Sequence, residues 1–223
     1  GLIETCTSSY AGQIPLILKI NSSNSLSRNS DAPTQAITGS ISEAIRLGCS
    51  AIGFTIYPGS DDSLNMISEI QELAAEAKSH GLAVVVWSYP RGGNISKEGE
   101  TAVDIVSYAA HMAALIGAHI IKVKPPTEFL EDANAKKVYV DNKIPISTLR
   151  DRIKNVVESC FQGKRIVIFS GGSSKNTEGL LNEIREIYNG GGFGSIIGRN
   201  SFQRPKKEAL VLLSQIIDIY KGK

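Results

Sequence analysis

The 223 residues carry 42% hydrophobic side chains and 24 lysines and arginines against 22 aspartates and glutamates, a net charge of +2 that fits one sizeable core in a single domain over 1–223. No basic block forms, no aromatic residues interleave with lysines and arginines, and no apolar run nears the roughly 20 residues that span a bilayer, so nucleic-acid and membrane partners are disfavoured. Cys6, Cys49 and Cys160 make no CxxC pair and His80, His111 and His119 have no ligand spacing, which points to free thiols in a reducing cytoplasm and away from a disulfide framework or a divalent metal.

Residues 1–10 (GLIETCTSSY) read as the tail of a helix or a loop leading into a strand, with no signal-peptide pattern and no initial methionine. The expectation is a chain that begins inside a domain. Residues 14–20 (IPLILKI) form a strand, followed by a polar loop rich in serine and asparagine over 21–33. Helical apolar spacing over 41–47 stops at Gly48, and 51–57 (AIGFTIY) is a second strand. The helix over 64–79 places Ile67, Ile70, Leu73, Ala74 and Ala77 on one face and ends at His80 and Gly81. Residues 83–89 (AVVVWSY) are a third strand, 101–116 a helix stopped by Gly117, and 119–126 (HIIKVKPP) a fourth strand. The long charged segment 127–142 has no assignable period. A helix over 147–162 capped by Gly163, a strand at 165–169, a loop at 170–174, a helix at 177–188, a strand at 194–198 and a final helix at 206–220 complete the chain.

Strands and helices alternate, each helix stopping at a glycine just before the next strand, which is the βαβ pattern of a parallel sheet. An open doubly wound sheet usually announces a nucleotide with GxGxxG or GxxxxGK[ST] after its first strand. Neither motif is present, and the glycines at 190–194 precede a strand, so they read as a turn. In a (β/α)8 barrel a phosphate is held by the loops after strands 7 and 8 with a short helix N-terminus. The last two strands here run into Ser170, Gly171 and Gly172, and into Gly198 and Arg199. Glycines let backbone N–H groups approach a phosphate, and an arginine offers it a fork of donors. On that count the fourth strand is strand 6 of the barrel and 14–20 is strand 3, so the first two strands are expected to lie before Gly1.

The fourth strand carries the chemistry. Alternation sets Lys122 and Lys124 on one face and Ile121 and Val123 on the other. A buried ammonium loses its proton readily, and a neutral amine attacks carbonyls to form a Schiff base. The plain alternative for either lysine is a head that reaches solvent or pairs with a carboxylate. Trp87 and Tyr89 end the preceding strand, where the tyrosine can serve as general acid and base and the tryptophan as either a substrate contact or a core aromatic.

Residues 53–60 (GFTIYPGS), 87–92 (WSYPRG), 117–124 (GAHIIKVK), 169–172 (FSGG) and 198–204 (GRNSFQR), taken in order, resemble the archaeal and bacterial class I fructose-bisphosphate aldolases of the DhnA type. The resemblance spans nearly the whole chain. It implies a (β/α)8 barrel without cofactor or metal that cleaves fructose 1,6-bisphosphate reversibly into dihydroxyacetone phosphate and glyceraldehyde 3-phosphate, in the cytoplasm and as a homo-oligomer. It implies Lys122 as the Schiff-base lysine, Tyr89 as proton donor and acceptor, and Trp87 as a substrate-contacting ring. Ser170, Gly171, Gly172, Gly198 and Arg199 match the phosphate cradle, while Lys19 is either a second phosphate ligand, a like charge beside Lys122, or a surface lysine. His119 departs from the acidic residue that relatives often have there. Two other readings stay open: a relative acting as transaldolase or acyltransferase on another phosphorylated carbonyl compound, and a sugar-phosphate-binding barrel that forms no imine.

Overall fold

The structure is a computed structural model that describes residues 1–10, 12–24, 26, 32–170 and 176–222, with Thr7 described by its backbone alone. The chain divides into two compact units, 1–95 with 112–121, and 96–111 with 122–223.

In the first unit, helix α1 (Leu2–Tyr10) precedes strand β1 (Ile17–Lys19), and β2 (Asn21–Ser22) pairs antiparallel with β3 (Ala36–Ile37). Helix α2 (Ile41–Arg46), strand β4 (Ala51–Ile56), helix α3 (Ser63–Ser79) and strand β5 (Ala83–Ser88) follow. The end of α4 (Val103–Leu115) and the start of β6 (Ile120–Val123) complete it. The strand order is β1-β4-β5-β6, with β1, β4 and β5 parallel. All six residues of β4 are buried, as befits a mainly apolar parallel strand covered on both faces. Helix α2 starts at a capping box, in which Glu43 N–H donates to Ser40 Oγ at 3.2 Å and Ser40 N–H to Glu43 Oε2 at 3.2 Å. Gly117, at φ 96°, lets α4 turn into β6; a Cβ there would also lie 2.4 Å from Lys78 Nζ.

In the second unit the order continues β6-β7-β8, where β7 is Ile166–Ser170 and β8 is Gly194–Ile196, parallel to each other. Between them in sequence lie α5 (Ala133–Asp141), α6 (Leu149–Ser159) and α7 (Thr177–Asn189); α8 (Arg199–Phe202) and α9 (Lys206–Tyr220) end the chain. Thr148 and Asn176 cap α6 and α7, accepting from Asp151 N–H at 3.1 Å and Gly179 N–H at 2.8 Å. The strands of this six-stranded sheet thus follow one another in chain order, as the strands of a (β/α)8 barrel do.

Two expectations are corrected and one unassigned segment is filled in. The segment 127–142 contains α5, a helix that buries no side chain and so has no apolar stripe to be read. The expected loop after β1 begins with β2, whose pairing to β3 is too short to leave a strand pattern. The buried stripe of α3 is Met66, Ile70, Ala74 and Ala77, while Ile67 and Leu73 flank it half-buried. Among the described residues no helix is long and apolar enough to cross a membrane.

Candidate active site

In the first unit, register decides which side chains share a face. Lys19 is level with Gly53, Gly53 with Val85, and Thr55 with Trp87. Lateral partners point the same way and the strand period is two, so Lys19, Gly53, Thr55, Val85 and Trp87 occupy one face of the sheet. Tyr89 comes two residues after Trp87, its N–H donating to Ile56 O at 3.1 Å and so extending the ladder past the end of β5. Burial pushes the Tyr89 phenol up to about 12, with Arg91 pulling against that and Tyr57 adding to it.

Lys19 is an exposed residue whose head group is nonetheless held. Its Nζ donates to the backbone oxygen of Asn21, to Asn21 Oδ1 at 2.9 Å and to Gln35 Oε1 at 3.4 Å, and burial lowers its pKa. Gln35 Nε2 in turn donates to Tyr57 OH at 2.7 Å, and the Arg91 guanidinium lies 5.6 Å from the centre of the Tyr57 ring. Asn21 is 1% exposed; its Nδ2 donates to Thr55 O and its Oδ1 accepts from Thr55 N–H, both at 2.8 Å. One amide side chain therefore satisfies both backbone groups of a buried strand residue while also orienting Lys19.

Gly53 is required by Trp87. A Cβ at Gly53 would lie 2.5 Å from Trp87 Cζ3 and 2.9 Å from Cη2, so the edge of the indole packs against bare backbone. Gly53→Ala is expected to displace that ring and to lower the unfolding free energy by about 1–3 kcal/mol, the usual cost of overpacking. Trp87 is the single tryptophan of the chain, so its fluorescence emission reports the displacement directly alongside denaturant melting. An unchanged spectrum with unchanged stability would show that the ring is not seated there.

In the second unit Lys122 lies within β6, 9% exposed, and burial lowers its pKa. Val123 beside it is fully buried. Lys124 sits just past the strand, its side chain 29% exposed, with Nζ 3.0 Å from Glu100 Oε2. Two lysines of one motif thus differ: the first is buried in the strand and the second is ion-paired at its exit.

Ser170 closes β7 half-buried, and Gly171 and Gly172 lie outside the described residues. Gly198 is the residue before α8, and Arg199 opens that helix with an exposed side chain. Arg204 fastens this turn, donating from Nε to Asn200 O at 2.7 Å and from Nη1 to Thr177 Oγ1 at 2.8 Å, at the first residue of α7. The turn after β8 and the start of the helix after β7 are thereby held together.

His119 belongs elsewhere. It precedes β6 at the N-terminal end, where its N–H donates to Val84 O at 2.9 Å and its Nδ1 accepts from Val84 N–H at 3.0 Å, a pairing that fixes strand register. The sequence reading missed Asn21, Gln35, Tyr57 and Glu100. Asn21 directly follows a strand, which is a weak signal; Gln35 and Glu100 stand in segments with no period.

The chain matches the profile described as DeoC/LacD family aldolase over residues 1–204. It is 34% identical over 219 residues to the fructose-bisphosphate aldolase class 1 of Thermoproteus tenax, covering 96% of this chain and 71% of that protein. It is 32% identical over 225 residues to the fructose-bisphosphate aldolase/6-deoxy-5-ketofructose 1-phosphate synthase of Methanocaldococcus jannaschii, covering 98% and 65%. Among solved structures it resembles an archaeal fructose-1,6-bisphosphate aldolase whose catalytic Lys is covalently bound to the carbinolamine intermediate of the substrate. That likeness has a TM-score of 0.78 at 30% identity over 98% of this chain and 76% of the other. With its strand order, its buried strand lysine and this likeness along its length, the chain belongs to the DeoC/LacD family of aldolases.

Proposed function

We propose that the protein is a class I fructose-bisphosphate aldolase in which Lys122 forms the Schiff base. The observation that carries the reading is the burial of Lys122 in a strand, with its pKa lowered by that burial, at the position the family resemblance assigns to the nucleophile. A lysine so placed reaches the neutral, nucleophilic form closer to neutral pH than a surface lysine does.

The neutral Lys122 amine attacks the C2 carbonyl of fructose 1,6-bisphosphate, and the new C–N bond gives a carbinolamine. The Tyr89 phenol donates a proton to the departing hydroxyl, which leaves as water, and an iminium and a tyrosinate result. The tyrosinate takes the proton of the C4 hydroxyl as the C3–C4 bond breaks. Its electrons pass into the iminium, leaving an enamine on Lys122 and releasing glyceraldehyde 3-phosphate. Protonation of the enamine at C3 and hydrolysis return Lys122 and dihydroxyacetone phosphate. The iminium is the electron sink, so the step needs no cofactor.

Ser170, Gly171, Gly172, Gly198 and Arg199 hold one phosphate in this proposal and Lys19 the other, with Trp87 against the sugar carbons. The anchoring of Lys19 on Asn21 and Gln35, on the face it shares with Trp87, supports its part. Reversible cleavage of this substrate belongs to hexose breakdown and synthesis, and the proposal extends to a cytoplasmic homo-oligomer of a single barrel domain.

Borohydride reduction of the full-length protein with dihydroxyacetone phosphate, followed by peptide mapping, tests the reading. The expected result is a reduced adduct on Lys122. Absence of an adduct in folded, phosphate-binding protein would leave a binding barrel without imine chemistry. A second reading is favoured by the double name of the Methanocaldococcus jannaschii relative: the same lysine serving another phosphorylated carbonyl compound. It predicts the Lys122 adduct with slow cleavage of fructose 1,6-bisphosphate.

A further inference from the structure

Two lysines at the end of one strand raise a question of selection, since either amine can in principle condense with a carbonyl. The second unit contains a built answer. Glu100 is a largely buried carboxylate, its side chain 12% exposed, and it accepts from two lysines at once: Lys124 Nζ at 3.0 Å on Oε2 and Lys97 Nζ at 2.8 Å on Oε1. Burial alone would push its carboxyl up, but the hydrogen bonds and charges of Lys97 and Lys124 outweigh that and hold it below the usual carboxylate range. It is therefore an anion at neutral pH.

Glu100 is also held in place independently of its partners. It occupies the 3-10 turn Gly99–Thr101, where Gly99 N–H donates to Ser96 Oγ at 2.9 Å. Ser96 in turn donates from its N–H and its hydroxyl to the two oxygens of Glu131, at 2.7 and 2.8 Å. A Cβ on Gly99 would come within 2.6–2.9 Å of the Glu131 carboxylate, so the turn packs against that group with no room for a side chain. The segment leaving Lys124 is stitched to the same turn: Thr127 N–H donates to Thr101 O at 2.7 Å, Val103 N–H donates to Phe129 O at 3.1 Å, and Ala102 bridges Thr127. The anion thus faces the strand exit from a clasp whose other bonds do not depend on Lys124.

We propose that Glu100 is a positioning residue for the lysine reaction: it tethers the Lys124 head group and fixes the exit of β6, so that condensation is confined to Lys122 in one orientation. The proposal rests on the aldolase reading. A head group bonded to a carboxylate is not free to reach a carbonyl, and releasing it would cost the pair its charge-assisted bond. Lys97, being 89% exposed, neutralises the other oxygen and adds little else.

Glu100→Gln keeps the shape and removes the charge. In this variant kcat for fructose 1,6-bisphosphate cleavage is expected to fall roughly 10- to 100-fold, the scale of a reacting group misplaced by up to an ångström, with KM nearly unchanged. Borohydride trapping with dihydroxyacetone phosphate, confined to Lys122 in the unsubstituted protein, is expected to spread to Lys124. Lys124→Met breaks the same pair while leaving the Glu100 turn intact, and is expected to lower kcat several-fold with the adduct on Lys122 alone. The double variant Glu100→Gln/Lys124→Met is expected to return all trapping to Lys122. An adduct confined to Lys122 in Glu100→Gln at unsubstituted kcat, or full kcat in Lys124→Met, overturns the positioning role and leaves the aldolase reading standing. No adduct in the unsubstituted protein overturns both.

Discussion

Lys122→Ala is expected to abolish cleavage and borohydride trapping, and Lys124→Ala to retain measurable activity. The two lysines are two residues apart and chemically identical, so the difference must come from their surroundings. Lys122 lies within β6 at 9% exposure, where burial disfavours its ammonium, whereas Lys124 has left the strand and is paired with Glu100. Removing a covalent nucleophile removes the whole imine pathway, whereas removing the paired lysine alters only how the strand end is held. The opposite pattern, activity retained in Lys122→Ala and lost in Lys124→Ala, would move the nucleophile two residues along. The pH dependence carries a sign as well. Because the folded state depresses the Lys122 pKa, the fraction of free amine rises with pH through a midpoint below the ordinary lysine value of about 10.4, and kcat/KM should rise with it. The same shift bears on stability. Between the depressed folded pKa and the unfolded one, the unfolded chain binds more protons, so stability increases with pH across that window. Below it the buried charge opposes folding in full. Lys122→Met is accordingly expected to melt higher than the unsubstituted protein at neutral pH, and the advantage should shrink as pH approaches the unfolded pKa, which thermal melts at several pH values would reveal.

Helix ends and buried strands were legible because each is written locally. Ser40 and Glu43 stand three apart and close a capping box; Thr148 and Asn176 are ordinary caps; β4 is a run of residues that only a doubly covered strand buries. Lys122 was legible for a related reason, as a charge placed inside an apolar run that has to be buried. What escaped has no local signature. Helix α5 buries nothing and so shows no period. Gln35 is informative only because β2 and β3 pair and bring it to Tyr57 and Lys19, and Glu100 only because its turn is stitched to residues 127–131. Strand alternation sets the two lysines on one face and names no partner for either. The carboxylate that holds Lys124 comes from 24 positions upstream of it, and no spacing rule connects them.

Tyr89→Phe is expected to leave imine formation intact while lowering kcat by about 10²–10⁴-fold, the range for loss of a general acid–base group. The phenol is carried by a backbone N–H bonded to Ile56 O, one strand period beyond Trp87, so phenylalanine at this position keeps the ladder and the ring and deletes only the hydroxyl. Trapping of a Lys122 adduct in the variant, at reduced turnover, would separate the covalent step from the proton transfers that follow it. The pKa of about 12, set mainly by burial, fixes what the hydroxyl can do. It remains protonated throughout the neutral and mildly alkaline range, which suits the donor role that the proposed mechanism gives it. The tyrosinate left behind is a strong enough base to take a hydroxyl proton as the carbon–carbon bond breaks. Arg91, which lowers that pKa against the effect of burial, makes the tyrosinate easier to form. The kcat profile of the unsubstituted protein should therefore show no fall between pH 7 and pH 10 attributable to Tyr89. A fall in that range that disappears in Tyr89→Phe would mean that the tyrosine titrates far below its buried value, and full activity in Tyr89→Phe would remove it from the mechanism.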